Sequence, residues 1–280
     1  MSFIYSIIDT VLPFSWLSPE FMKNALLAVI LAAPLFGMLG SVVVSNQMAF
    51  FSDAIGHSAL TGIAIGVILG IKEPLVSMIG FSLFLGAAII SVKCRGKSSA
   101  DTIIGVFSST AVALGIVLLS ATGNFAKYQR YLVGDILSIK PVEILDLFVS
   151  LVILIVIFLF FYNKMLLTNL HGTFARSRGI KTFFIEMIFA LLTAAIVTIS
   201  IRWTGLLVIN SLLVLPAASG KMISRNARRY ILLSVLISLA SCIIGLSLSW
   251  YIGSASGATI VLVNAFVFII CFFVGILRKN

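Results

Sequence analysis

The chain has 280 residues, 61% of them hydrophobic and only 10% charged, with a mean hydropathy of +1.21. Soluble domains usually carry about 25% charged and about 45 to 50% apolar residues, so this composition excludes a water-soluble globular enzyme and implies an integral membrane protein. Lys and Arg number 19 against 9 Asp and Glu, a formal net charge of +10. The cations stand singly or in threes and fours between apolar blocks, not on one solvated face with stacking aromatics, so they read as loop charges facing the cytoplasm and not as a nucleic-acid surface.

Residues 1–20 carry Phe3, Ile4, Ile7, Ile8, Val11, Leu12, Trp16 and Leu17, a break at Pro13, and no Lys or Arg before Lys23. A signal peptide would open on a basic region, so this stretch is expected to be an interfacial helix kept in the mature protein. A membrane-spanning helix needs roughly 20 mainly apolar residues. Runs of that kind predict eight or nine spans, at 21–44, 54–71, 74–92, 102–121, 143–162, 183–201, 204–220, 230–251 and 258–277. The fold class is therefore all-α and polytopic, with 21–280 forming a single transmembrane domain. The longest inside loop, about 163–181, is too short to carry catalysis of its own.

Orientation follows from the cations. With the C-terminus cytoplasmic, the inside loops hold Lys93, Arg95, Lys97, Lys164, Arg176, Arg178, Lys181, Lys221, Arg225, Arg228, Arg229, Arg278 and Lys279, and the outside holds Lys23, Lys72, Lys127, Arg130, Lys140 and Arg202. That bias orients short loops, and nine spans then put the N-terminus outside. Cys94, Cys242 and Cys271 have no CxxC spacing and read as packing residues. Gly96, Lys97 and Ser98 imitate the end of a phosphate-binding loop, but the Gly required upstream is Ser91 and the segment joins two apolar helices, so the chain itself is not expected to bind ATP.

Charged groups inside a bilayer are costly, about 2.5 to 3.5 kcal/mol at a helix centre on insertion scales, and the few present are therefore informative. Asp53 and His57 stand at i and i+4, on one face of a helix and about a turn apart. Asn46 and Thr61 extend the polar stripe on either side. An oxygen and a nitrogen donor at this spacing can hold a divalent cation such as Zn, Mn or Fe. Two ligands are too few alone, and a symmetric pair of chains would bring two Asp and two His together on its axis. The competing reading makes Asp53 a helix cap and His57 a packed polar residue, and spacing does not choose between the two. Gly62, Gly66 and Gly70 follow as a double small-xxx-small pattern, a signal of close helix packing within or between chains.

Further on, Leu206 to Leu215 is apolar apart from Asn210 and Ser211 and ends at Pro216. Pro216 is expected to stop or kink the span. Ala217, Ala218, Ser219 and Gly220, followed by Lys221, Arg225, Arg228 and Arg229, then predict a short basic helix at the cytoplasmic surface. Such a helix suits a partner's groove or is an ordinary basic stop to a span.

The run Met48 to Gly62 containing Asp53 and His57, together with Leu207 to Ala218 containing Asn210 and Pro216, and Ser256 to Leu262, resembles the permease subunits of ABC-type manganese/zinc importers. The resemblance covers about 20–277. It implies a multi-pass permease of the bacterial cytoplasmic membrane that pairs with a second permease subunit, the same chain or a sister. Two cytoplasmic ATPase subunits would dock on it and use the ATP, and an extracytoplasmic metal-binding protein would feed it. No cofactor is bound permanently and the chain is not itself an enzyme; Mn2+ or Zn2+, with Fe2+ as a further candidate, is the cargo. The resemblance carries the metal path to Asp53 and His57 and makes about 217–229 the ATPase-coupling helix; Asn46, Thr61 and Asn210 are candidates for lining the same pathway. Members often have an acidic residue and a Pro where this chain has Gly253, Ser254 and Ala255, so an acidic outer gate is not carried over.

The expected mechanism is alternating access driven by the ATPases through the helix after Pro216. Because a ligating imidazole must be neutral, uptake is expected to fall off in acid near the ordinary histidine pKa of about 6.5. The rival readings are a permease for metal chelates such as siderophores or cobalamin, a secondary carrier with Asp53 and His57 as a proton relay, and an intramembrane enzyme, for which no second acid or nucleophile accompanies the pair.

Overall fold

The structure is a computed structural model that describes residues 5–6, 14–96, 98–121, 134–170 and 172–277. Helices α1 (Glu20–Ser45), α2 (Phe51–Ile68), α3 (Pro74–Arg95), α4 (Ala100–Ala121) and α5 (Pro141–Leu170) are followed by a short α6 (Gly172–Ser177). Then come α7 (Thr182–Thr204), α8 (Leu206–Ile223), α9 (Ala227–Ile252) and α10 (Ser256–Leu277). Among the described residues, nine of these are long and apolar enough to cross a membrane, all but α6. The chain is a multi-pass membrane protein, and the nine expected spans each correspond to one of them.

The breaks are where the local chemistry puts them. Pro74 and Pro141 open α3 and α5, at the one helical position where a missing amide N–H costs nothing. Only Gly205, at φ 78°, separates α7 from α8, a backbone conformation that L side chains rarely adopt. Several cations assigned to loops sit in helix ends, and two lie deeper: Lys164 is inside α5, which runs past the expected end at 162, and Lys23 is buried in the first turns of α1. Of the N-terminal stretch 1–20, only Tyr5, Ser6 and 14–20 are described; a one-turn 3-10 helix at Ser15–Leu17 buries Trp16 and Leu17. Its other apolar residues, and Lys97, Lys127, Arg130, Arg278 and Lys279, lie outside the described residues.

Two compact units divide the chain. One comprises Met1–Ser41, Gly134–Ile153 and Trp203–Asn280. Within it α8, α9 and α10 pack on one another, and α1 approaches α8 so closely that a Cβ at Gly40 would fall 1.9 Å from the Leu213 carbonyl oxygen. Tyr230 of α9 donates its hydroxyl to the Ser41 carbonyl at 3.2 Å. The other unit comprises Val42–Val133 and Leu154–Arg202, and within it α2 packs on α3 and α4. Of the nine long helices, α2 is the least apolar and the most buried, whereas α10 is the least buried and among the most apolar. That is the division a bilayer imposes, since lipid faces tolerate only apolar side chains while polar ones must turn inward.

Candidate functional site

From Phe51 to Ala64, every residue of α2 is buried except Asp53 and His57. His57 Nε2 lies 3.5 Å from Asp53 Oδ1, and each side chain keeps 42% of its surface accessible. One helical turn is the cause: i and i+4 share a face, and the rest of the helix is occupied by α3 and α4. The N-cap of α2 is Phe50, which makes no side-chain cap bond, and Asp53 comes three residues later in the first turn. A carboxylate is favoured there by the unpaired amides of the helix start, which accounts for an acid at this position but not for its approach to an imidazole. A carboxylate oxygen and an imidazole nitrogen on one accessible face are donor types that a borderline divalent cation accepts, two of the four or more it takes. Among the described residues, no group of three or more His, Cys, Asp and Glu side chains comes together.

The other sequence candidates are placed as follows. Asn46 directly follows α1 and its side-chain amide donates to the Val42 carbonyl at 3.1 Å. Thr61 is on the buried side of α2, its hydroxyl donated to the Ala111 carbonyl of α4. Asn210 sits half-buried in α8, in the other unit. Gly62 and Gly66 pack within the chain: a Cβ on Gly62 would lie 2.7 Å from the Met78 Cα of α3, and one on Gly66 would lie 2.2 Å from the Ser77 hydroxyl. Gly70 is a correction, since it stands beyond the end of α2 at φ 71° with no atom near its missing Cβ, so it makes a turn and not a packing surface.

The basic segment after Pro216 also differs from expectation. Pro216 does not end its helix, because α8 continues through Ala217, Ala218, Ser219, Gly220 and Lys221 to Ile223. A proline removes one backbone bond and crowds the turn before it. Neighbouring bonds hold here, with Ser219 Oγ also donating to the Leu215 carbonyl at 2.8 Å. The chain then breaks at Ser224, and Asn226 caps α9 by accepting from the Arg229 amide at 3.0 Å. The expected helix over 217–229 is therefore the end of one helix, a three-residue link and the start of another. Pro216, Ala217, Ser219 and Gly220 are buried, while Lys221, Arg225, Arg228 and Arg229 are exposed. Sequence reasoning missed one feature of the unit that holds the pair: Lys93 of α3 and Glu186 of α7 form an ion pair at 2.9 Å. No local spacing signals it, because the two stand 93 positions apart.

Against known proteins, residues 18–275 match the model of the ABC 3 transport family. The high-affinity zinc uptake system membrane protein ZnuB of Haemophilus influenzae is 29% identical over 255 residues, covering 91% of this chain and 97% of that protein. The manganese import system permease protein ScaB of Streptococcus gordonii is 29% identical over 257 residues, covering 91% and 92%. Among solved structures, PsaBC from Streptococcus pneumoniae in complex with Fab superposes with a TM-score of 0.76 at 25% identity, covering 97% of this chain and 95% of that one.

Proposed function

We propose, since the chain belongs to the ABC 3 transport family, that it is the membrane permease of an ATP-driven importer and that its cargo is a divalent metal ion, Mn2+ or Zn2+, with Fe2+ chemically admissible. The observation that carries the cargo is the open face of α2. Its two accessible positions between Phe51 and Ala64 are a carboxylate and an imidazole 3.5 Å apart. Relatives named for zinc and manganese uptake support the same reading. Asp53 and His57 replace part of the ion's hydration shell, and two donors per chain hold it loosely enough to let it go. A second permease chain, the same or a sister, supplies the remaining donors across a two-fold axis.

ATP is hydrolysed by separate cytoplasmic subunits. Their contact is the exposed cations Lys221, Arg225, Arg228 and Arg229 around the link between α8 and α9, with Ala217, Ser219 and Gly220 as the buried side of the stem that carries motion inward. An extracytoplasmic metal-binding protein delivers the ion. The permease sits in the bacterial cytoplasmic membrane with its C-terminus inside. Residues 21–280 act as one transmembrane domain.

Proteoliposomes holding the permease with and without its ATPase subunits test the class of transporter. Accumulation of metal that needs the ATPase and hydrolysable ATP supports an importer. Accumulation by the permease alone, driven by a proton gradient, would make it a secondary carrier with Asp53 and His57 as a relay.

A further inference from the structure

The start of α2, which carries Asp53 and His57, has no side-chain N-cap. Phe50 stands at that position, and the turn before it contains Gln47 at φ 55°, a left-handed conformation that non-glycine residues rarely adopt. A helix begun this way depends on tertiary contacts for its place.

Two of the residues that launch α2, Met48 and Phe51, meet α3 and α7 near the Lys93–Glu186 pair. Lys93 Nζ, in the last turn of α3, lies 2.9 Å from Glu186 Oε2 near the start of α7, and the two side chains keep only 19% and 20% of their surface accessible. The same ammonium donates to Met48 Sδ at 3.5 Å, and Met48 belongs to the turn that leads into α2. Phe51, the first residue of α2 and 1% exposed, is seated on the same two helices. Its ring tip would lie 3.5 Å from a Cβ at Gly86 of α3, and it lines a small cavity with Asn46, Met48, Glu186 and Phe189. The ion pair thus joins α3 to α7 where both side chains that launch α2 rest. Sheltered from water, such a pair is stiffer than a surface salt bridge, and removing one partner leaves the other charge uncompensated.

We propose that Lys93 and Glu186 are positioning residues: through Met48 and Phe51, their ion pair sets where Asp53 and His57 meet the transported cation. This rests on the reading of Asp53 and His57 as metal ligands. A salt bridge that only stabilises the fold is the alternative.

The test uses the purified complex of permease and ATPase subunits in lipid nanodiscs. The equilibrium affinity for Mn2+ and the absorption spectrum of bound Co2+ are recorded for wild type, Lys93→Gln, Glu186→Gln, Lys93→Arg, the exchange Lys93→Glu with Glu186→Lys, and Asp53→Ala. Each Gln variant is expected to lose about 10- to 100-fold in affinity, the range found when groups that orient metal ligands are removed, and to shift the Co2+ spectrum. Lys93→Arg and the exchanged pair are expected to restore both to within a few-fold of wild type. Wild-type affinity and spectrum in both Gln variants would overturn the proposal. So would losses that follow a fall in thermal midpoint and are not restored by Lys93→Arg or by the exchange. If Asp53→Ala itself leaves affinity and spectrum unchanged, the ligand reading has failed, an outcome distinct from loss in Asp53→Ala with none in the Gln variants.

Discussion

At the scale of single residues, the helix that carries the pair has little room to change at Gly62. A Cβ at Gly62 would come within 2.7 Å of the backbone of α3, whereas at Gly80, on an exposed face of α3, it would meet nothing within 4 Å. Gly62→Val is therefore expected to destabilise by about 1 to 3 kcal/mol, the usual cost of overpacking, and Gly80→Ala to leave stability unchanged or slightly raised. Thermal midpoints in detergent measure both. Thr61→Val is expected to cost about 1 kcal/mol, because the Ala111 carbonyl loses a buried donor, while metal affinity stays at wild type. A loss of affinity in Thr61→Val would return Thr61 to the pathway. Asp53 and His57 were legible because i, i+4 is a local spacing and ionisable residues are rare in apolar runs. The Lys93–Glu186 pair was not, since it depends on how α3 meets α7, and no periodicity encodes a contact between helices 93 positions apart.

At the scale of elements, helix positions were readable from apolar runs, but what happens at their ends was less so. Pro216, expected to stop or kink its span, sits inside α8, whose packing against α9 and α10 outweighs one missing backbone bond. The actual break is marked by Asn226, an N-cap signal ahead of a helical run, and its removal in Asn226→Ala is expected to cost about 1 kcal/mol. Reversing charge on both sides of that break separates coupling from an ordinary basic stop. Lys221→Glu with Arg228→Glu is expected to lower the ATPase recovered with the permease, while leaving metal binding by the permease intact. Full ATPase recovery from that variant would remove the coupling role from the link between α8 and α9.

At the scale of the whole molecule, composition alone identified a polytopic membrane protein, and the distribution of polarity among its helices points to α2. Whether the Gly62 and Gly66 surface joined helices of one chain or two was not legible, because small-residue spacing has the same form in both cases. Both glycines face α3 of the same chain, so their close packing is within the chain. With two donors from each chain, a symmetric complex is expected to bind one cation per two permease chains, countable by metal analysis of the purified complex. One tightly bound ion in each chain would place the remaining ligands within the chain itself.

The central claim is that Asp53 and His57 lie on the route of a divalent metal ion. The most direct measurement is uptake of radioactive manganese and zinc by the complete complex in proteoliposomes, comparing wild type with Asp53→Ala and His57→Ala at equal membrane levels. Both variants are expected to lose uptake of the transported metal at least tenfold while still co-purifying with the ATPase. Wild-type uptake in both would contradict the account, making Asp53 a charge that suits a helix start and His57 a packed polar side chain.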